Sequence, residues 1–294
     1  MVIIKKIIKK IFNALGYELV SLRSKEDDDK RFTDIYKKLY SAKALSEKRF
    51  YNVGSGSFHH KYWTNLDYVS DWYKDGQKEV IHIDLMQMTP LPIESEKAEV
   101  IYTSHTIEHV KEEAVKYLFK EVYRCLKPGG FFRVTTGPDA DLDFEALKRG
   151  DEYWFYWDYW YEKPGTYEQL FHQPATSVPI EERWLHHVAS QLAPNSKTQS
   201  KIKINATQLK ELMKTMTKEQ LLDHLTSLCV YDPKRPGDHV SWWNVEKVIN
   251  YLKEAGFKTV YRSGYGQSAC PILRDTKYFD NTHPQISLYV EAVK

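Results

Sequence analysis

The chain has 294 residues, enough for one or two domains with a proper apolar core. Hydrophobic residues make up 42% and charged residues 28%, the balance of a soluble globular protein, and a net charge of +2 argues against a polynucleotide partner held by electrostatics. No run of 18 apolar residues is present, which excludes a membrane-spanning helix, and Cys125, Cys229 and Cys270 are too scattered for a disulfide framework or a CxxC site, which fits a reducing cytoplasm.

Residues 1–20 read as a helix ended near Gly16. Ile4, Ile7, Ile8, Ile11 and Leu15 share one face, with lysine pairs at 5–6 and 9–10 beside them. Those pairs interrupt the apolar run too often for a secretory leader. Such a face packs on its own domain or on a second copy in a homodimer. Its lysines also make residues 1–15 suited to peripheral contact with an anionic membrane. A charged stretch over 21–31 follows as a linker. Residues 32–46 are helical again, with Phe32, Ile35, Tyr36 and Leu39 near one face.

The rhythm then changes to alternating strands and helices. Strands are expected at Phe50–Val53, Thr64–Asp67, Val80–Asp84, Val100–Thr103 and Phe131–Thr135. A helix from Lys111 to Leu126 carries Val115, Leu118, Phe119 and Val122 at helical spacing and is stopped by Lys127-Pro128-Gly129-Gly130. This alternation predicts a parallel, doubly wound sheet. Residues 137–240 break the rhythm, with an aromatic tract at 153–161, a polar stretch at 194–203 and one helix over 205–228. It resumes with a helix from Asn244 to Ala255 closed by Gly256, a strand from Lys258 to Arg262 and a last strand from Ile286 to Ala292. The expected organisation is an N-terminal helical segment (1–46), a cofactor-binding core (47–136), a substrate-binding insertion (137–240) and a part completing the sheet (241–294).

Gly54-Ser55-Gly56 follows the first strand, where glycine lets the backbone approach a ligand closely. Alone, the pair is more often a simple turn, and no third glycine follows at the dinucleotide spacing, which argues against NAD or FAD. Asp67 ends the second strand and can accept from ribose hydroxyls. Asp84, with Leu85, ends the third and can take an adenine amine. Each aspartate alone is more often a turn or helix cap. Together the loop and both carboxylates converge on the edge where open α/β sheets bind ligands.

Among the 11 histidines, His105 after the fourth strand is the best-placed base, while His109 suits a structural place in the next helical turn. His172, His186 and His187 are further candidates within the insertion. No HExxH or close His/carboxylate motif is present, so no metal is expected. The tract from Tyr153 to Tyr161 holds eight aromatics in nine residues. Aromatic faces stack on sugars and bases, so Trp154, Tyr156 and Trp157, with His187, are candidate acceptor-binding residues. The alternative is that the tract is the insertion's own core. Asp151, Glu152, Asp158 and Glu162 around it argue against nucleic acid.

Tyr51 to Gly56, Asn65-Leu66-Asp67, Asp84-Leu85 with Pro90-Leu91-Pro92, Ser104 to His109, and Glu121 to Phe131 with its Leu-Lys-Pro-Gly-Gly occur in an order that resembles the type-11 group of class I S-adenosylmethionine methyltransferases. The resemblance covers about residues 48–136. It extends less fully over 239–262 and leaves out the insertion. Ser55 departs from the cysteine or other small residue common there. The resemblance implies a Rossmann-like α/β fold, a mostly parallel seven-stranded sheet flanked by helices, with a large helical and aromatic insertion after strand five. It implies S-adenosyl-L-methionine as cofactor and S-adenosyl-L-homocysteine as product. Gly54, Ser55 and Gly56 would cradle the methionine part, Asp67 the ribose, and Asp84 and Leu85 the adenine. Ser104 and His105 would face the sulfonium and acceptor, and His239 would lie near the mouth. His105, His239 and His186 are thus the candidate bases. The lysine-rich N-terminal helix and the late Ser287-Leu288-Tyr289-Val290-Glu291-Ala292 strand resemble bacterial enzymes that methylate sugar hydroxyls in surface-polysaccharide (capsule) biosynthesis, acting on glycans or nucleotide-linked sugars. An amine or unrelated metabolite as acceptor, or a silent binding module that keeps the fold, are the competing readings.

Overall fold

The computed structural model describes residues 8, 10, 12, 14–16, 35–70, 79–156, 177–194, 196 and 200–294. The chain forms two compact units, Met1–Leu45 and Ser46–Lys294. In the first, residues 8, 10, 12 and 14 are helical, and Gly16 leaves the helix in the left-handed region. Ile4, Ile7 and Ile11 lie outside the described residues. The helix expected over 32–46 is helical at 35–39 and again at Ala42–Ser46. Ser41 makes the break: its hydroxyl accepts from Ala44 N and starts the second piece. Tyr36 is buried, but Leu39, expected on the same face, is exposed.

The second unit is built on a seven-stranded sheet of β1 (Phe50–Val53), β2 (Trp63–Asp67), β3 (Val80–His82), β4 (Ala98–Ser104), β5 (Leu126–Thr136), β6 (Thr259–Arg262) and β7 (Leu288–Val293). The strand order is β3-β2-β1-β4-β5-β7-β6. The first five strands are parallel, and β7 runs antiparallel to both β5 and β6. Connectivity reverses between β1 and β4, the crevice where doubly wound sheets take their ligands. β3 stops two residues early because Asp84 turns inward to cap the single 3₁₀ turn Leu85–Gln87.

Helix α1 (Glu112–Cys125) buries Val115, Leu118, Phe119 and Val122 at the expected spacing against the sheet. It ends directly in β5, which begins at Leu126 rather than at Phe131 and pairs with β4 across a register shift. On β5 the fully buried Arg133 is matched by Asp280 at 2.5 Å and Glu291 at 2.9 Å, so its charge is paired within the fold.

After β5 come α2 (Ala140–Arg149), α3 (Ile180–Val188), α4 (Ala206–Thr215) and α5 (Lys218–Ser227). Their apolar faces close around Trp184, Leu185, Leu209, Leu221 and Leu225, a core separate from that of the sheet. The helix expected over 205–228 is two helices. Thr217 and Gln220 form a capping box that starts α5 where α4 ends. Helix α6 (Val245–Glu254) returns the chain to the sheet, capped by Asn244 and released at Gly256.

Candidate active site

A cavity of about 540 Å³ opens over the C-terminal ends of β1, β2 and β4 and the turn after β3. That is the size range of small-molecule and cofactor sites. Gly54, Ser55, Gly56, Asp67, Asp84, Leu85, Ser104 and His105 all line it. Gly54 has φ +70°, and a Cβ there would sit 2.0 Å from Thr106 Oγ1, so the β1 and β4 loops can meet only through glycine. Gly56 has φ +52° and faces open space. Its N–H donates to Asp67 Oδ2 at 2.6 Å, while Asp67 Oδ1 accepts from Tyr68 N at 2.7 Å. Asp84 Oδ1 accepts from Met86 N at 2.9 Å, so it is a cap and a cavity residue at once.

Asn52 Oδ1 and Ser55 Oγ are buried at this cavity with no hydrogen-bond partner among the described residues. A buried polar atom left unpaired costs about 1–3 kcal/mol, and a ligand's polar group removes that cost. Asn52 escaped the sequence reading, although an asparagine inside an otherwise apolar strand was a usable signal.

His105 stands at the end of β4 with φ +48°. Its Nε2 is 2.8 Å from Ser287 Oγ, and its Nδ1 is 3.1 Å from Glu108 Oε1. The second contact is a close charge contact without good hydrogen-bond alignment, because Glu108 Oε1 makes no directed hydrogen bond. Glu108 Oε2 accepts from Thr136 Oγ1 at 2.7 Å. Burial would raise the Glu108 carboxyl, but contact with His105 and the fields of His109 and His239 hold it well below the usual carboxylate range.

Among the described residues, His186, His187 and His239 do not line this cavity. His239 lies behind it, its ring 4.9 Å from that of His109, with Nδ1 hydrogen-bonded to the His187 carbonyl. Burial, then His109, pushes its imidazole down to about 3. His186, on α3, is pushed down to about 3 by burial and by His187. His187 is buried, with Nδ1 3.1 Å from Asp143 Oδ1, which also accepts from Trp154 Nε1 at 2.8 Å. Phe155 is wholly buried in the insertion's core. The side chain of Tyr156, and all of Trp157 and His172, lie outside the described residues. The far wall of the cavity comes from Tyr231, Lys277, Tyr278, Asn281 and Thr282, which no sequence pattern marked.

Residues 58–134 match the model of a methyltransferase domain family. The match begins just after the Gly54–Gly56 turn and ends within β5. No curated protein matches the chain. Among solved structures, an S-adenosylmethionine-dependent methyltransferase from Archaeoglobus fulgidus aligns over 83% of this chain and 85% of its own, with 11% identity and a TM-score of 0.37. One from Mesorhizobium loti aligns over 86% and 96%, with 16% identity and a TM-score of 0.37. Another from Thermotoga maritima, described as a possible histamine N-methyltransferase, aligns over 90% and 97%, with 12% identity and a TM-score of 0.36. The domain match and the observed strand order make this a Rossmann-like class I methyltransferase fold and a methyltransferase that uses S-adenosylmethionine.

Proposed function

We propose that the enzyme transfers its methyl group to a hydroxyl of a sugar or sugar-linked acceptor, of the kind assembled into bacterial surface polysaccharide, with His105 as the base. The observation that carries this reading is the His105 geometry. The imidazole sits on the cavity wall, with a hydroxyl oxygen 2.8 Å from Nε2 and a carboxylate 3.1 Å from Nδ1. An imidazole oriented by fixed partners on the cavity wall is what a general base for O-methylation needs. Ser287 Oγ, which donates to the His283 carbonyl at 2.8 Å, and the Glu108 carboxylate together fix the ring, and an acceptor hydroxyl would take the place of the Ser287 contact at Nε2 when the proton is removed.

The methionine part of the cofactor fits Gly54, Ser55 and Gly56, where Asn52 Oδ1 and Ser55 Oγ await partners. The ribose fits Asp67, and the adenine fits Asp84 and Leu85. The bound cofactor supplies an already activated methyl group, so the protein's work is alignment and proton removal. Tyr231, Lys277, Tyr278, Asn281 and Thr282 offer the mixed polar and aromatic wall that a hydroxyl-rich ring suits.

Calorimetric titration with S-adenosylhomocysteine, with NAD as control, followed by labelled-methyl transfer to a panel of nucleotide-linked sugars, tests the reading. Saturable 1:1 binding of the first compound and transfer to a sugar oxygen are expected. Transfer only to amines would remove the hydroxyl acceptor and the need for a base at His105. Cofactor binding with no acceptor turned over would favour a silent module.

A further inference from the structure

We propose that Glu108, His109 and His239 form a binding site for a first-row divalent transition-metal ion, zinc(II) or a congener, in the wall shared with the cofactor cavity. One ring nitrogen of each histidine and one carboxylate oxygen of Glu108 lie within 4.8 Å of one another. Two segments more than a hundred residues apart bring them together, and both are firmly joined. Val240 N donates to Glu108 O at 2.9 Å, Ser241 Oγ to Ile107 O at 2.9 Å, and Trp243 Nε1 to Ile107 O at 3.2 Å.

The tautomers follow from the partners. His109 Nδ1 is 3.3 Å from Asp238 O, and His239 Nδ1 is hydrogen-bonded to His187 O. A carbonyl oxygen only accepts, so each Nδ1 carries its proton there and each Nε2 keeps a lone pair. A ring held by its far N–H on a main-chain carbonyl is the usual support of a metal-ligating histidine. Glu108 is 2% exposed and is held by Thr136 through Oε2. A carboxylate has about four acceptor positions, so Oε1 can face both His105 and a cation.

Two imidazoles and one carboxylate suit zinc(II) or another first-row ion. Magnesium and calcium, which prefer oxygen alone, fit poorly. Three protein ligands leave at least one coordination position open. Because His109 also lines the large cavity, the ion borders it. The inference needs neither the sugar acceptor nor the His105 base.

The test uses the full chain after chelator treatment. Cobalt(II) chloride is titrated by visible absorption and zinc chloride by calorimetry, on wild type, His239→Ala and His109→Asn. One equivalent per chain is expected, with ligand-field bands that zinc displaces and affinity at least roughly tenfold weaker in each variant. Zinc should raise the wild-type Tm and leave that of either folded variant unmoved. Absence of stoichiometric binding to wild type, or full affinity retained in both variants, would overturn the site. S-adenosylhomocysteine titration of the same samples separates the two readings. Cofactor binding without metal binding sinks this inference alone, whereas metal binding lost in the variants sustains it even if the cofactor fails to bind.

Discussion

The sheet half and the insertion both bury polar side chains, but the sheet half also sets polar groups at strand ends around an open cavity. Around the sheet, the buried cluster is aliphatic and aromatic, and the polar groups for a ligand sit at strand ends, held by main-chain contacts such as Gly56 N to Asp67. In the insertion, as at the buried Arg133 of β5, polar groups complete the core. Asp143 is fully buried and joins Trp154 to His187 amid Trp184, Leu185 and Phe155. A residue type that suggests binding therefore means different things in the two regions. At a strand end it meets solvent or ligand. In a helical insertion it can complete the core.

The largest expected effect lies on the sheet side. His105→Ala should lower turnover by roughly 10²- to 10⁴-fold, the usual range for a lost general base, while S-adenosylhomocysteine affinity stays within about threefold. Single-turnover rates beside calorimetric affinities check this. Equal loss of rate and binding would make His105 a cofactor residue and blur the contrast between loop and base. Next is Gly54→Ala. Its φ of +70° and the approach of Thr106 oppose a Cβ together. Left-handed strain of about 1–2 kcal/mol and the clash should weaken cofactor binding roughly 100-fold. Thr106→Gly added to it relieves the clash alone, so about half of the lost free energy should return. A Gly54→Ala variant with native affinity would mean the loop can shift without cost.

Much of the sheet half was legible because its signals are local. Five strands, the Gly54–Gly56 turn, and Asp67 and Asp84 each announce themselves within a few residues. β3 and β5 were misjudged at their ends, where capping by Asp84 and pairing with β4 decide the boundary. The rest depends on distant partners. Glu108 and His109 are neighbours in sequence, but the third ligand is not announced there, because folding alone brings residue 239 beside them. The wall at 277–282 lies on a loop with no periodicity to read, and the expected strand over 286–292 gave Ser287 no partner at His105. In the insertion, composition revealed the aromatics but not their direction, as the wholly buried Phe155 shows.

A smaller effect, confined to the insertion, should follow Asp143→Ala. The substitution leaves the Trp154 indole N–H and the His187 ring without their acceptor. Such orphaned buried groups cost about 1–3 kcal/mol, and because Asp143 Oδ2 is itself unpartnered, the lower half of that range is expected. Limited proteolysis should cut earliest within 137–240, with cofactor affinity preserved. Loss of cofactor binding in step with stability would show that the two cores fold as one.

The smallest effect isolates a single cap. Thr217 accepts from Gln220 N, and Gln220 Oε1 accepts from Thr217 N at 3.0 Å, so α5 starts afresh where α4 has stopped. Without the hydroxyl, one first-turn N–H loses its acceptor, which costs about 1 kcal/mol of stability. Thr217→Ala should therefore lower Tm by roughly 2–4 °C, the shift expected for a domain of this size. Thr217→Ser, which keeps the oxygen, should restore nearly all of it. The box lies in the insertion, so S-adenosylhomocysteine affinity should be the same in all three proteins. If Thr217→Ala were neutral while helicity rose, α4 and α5 would have fused into the single helix that the apolar spacing over 205–228 suggests, and the cap would be the sole element holding them apart.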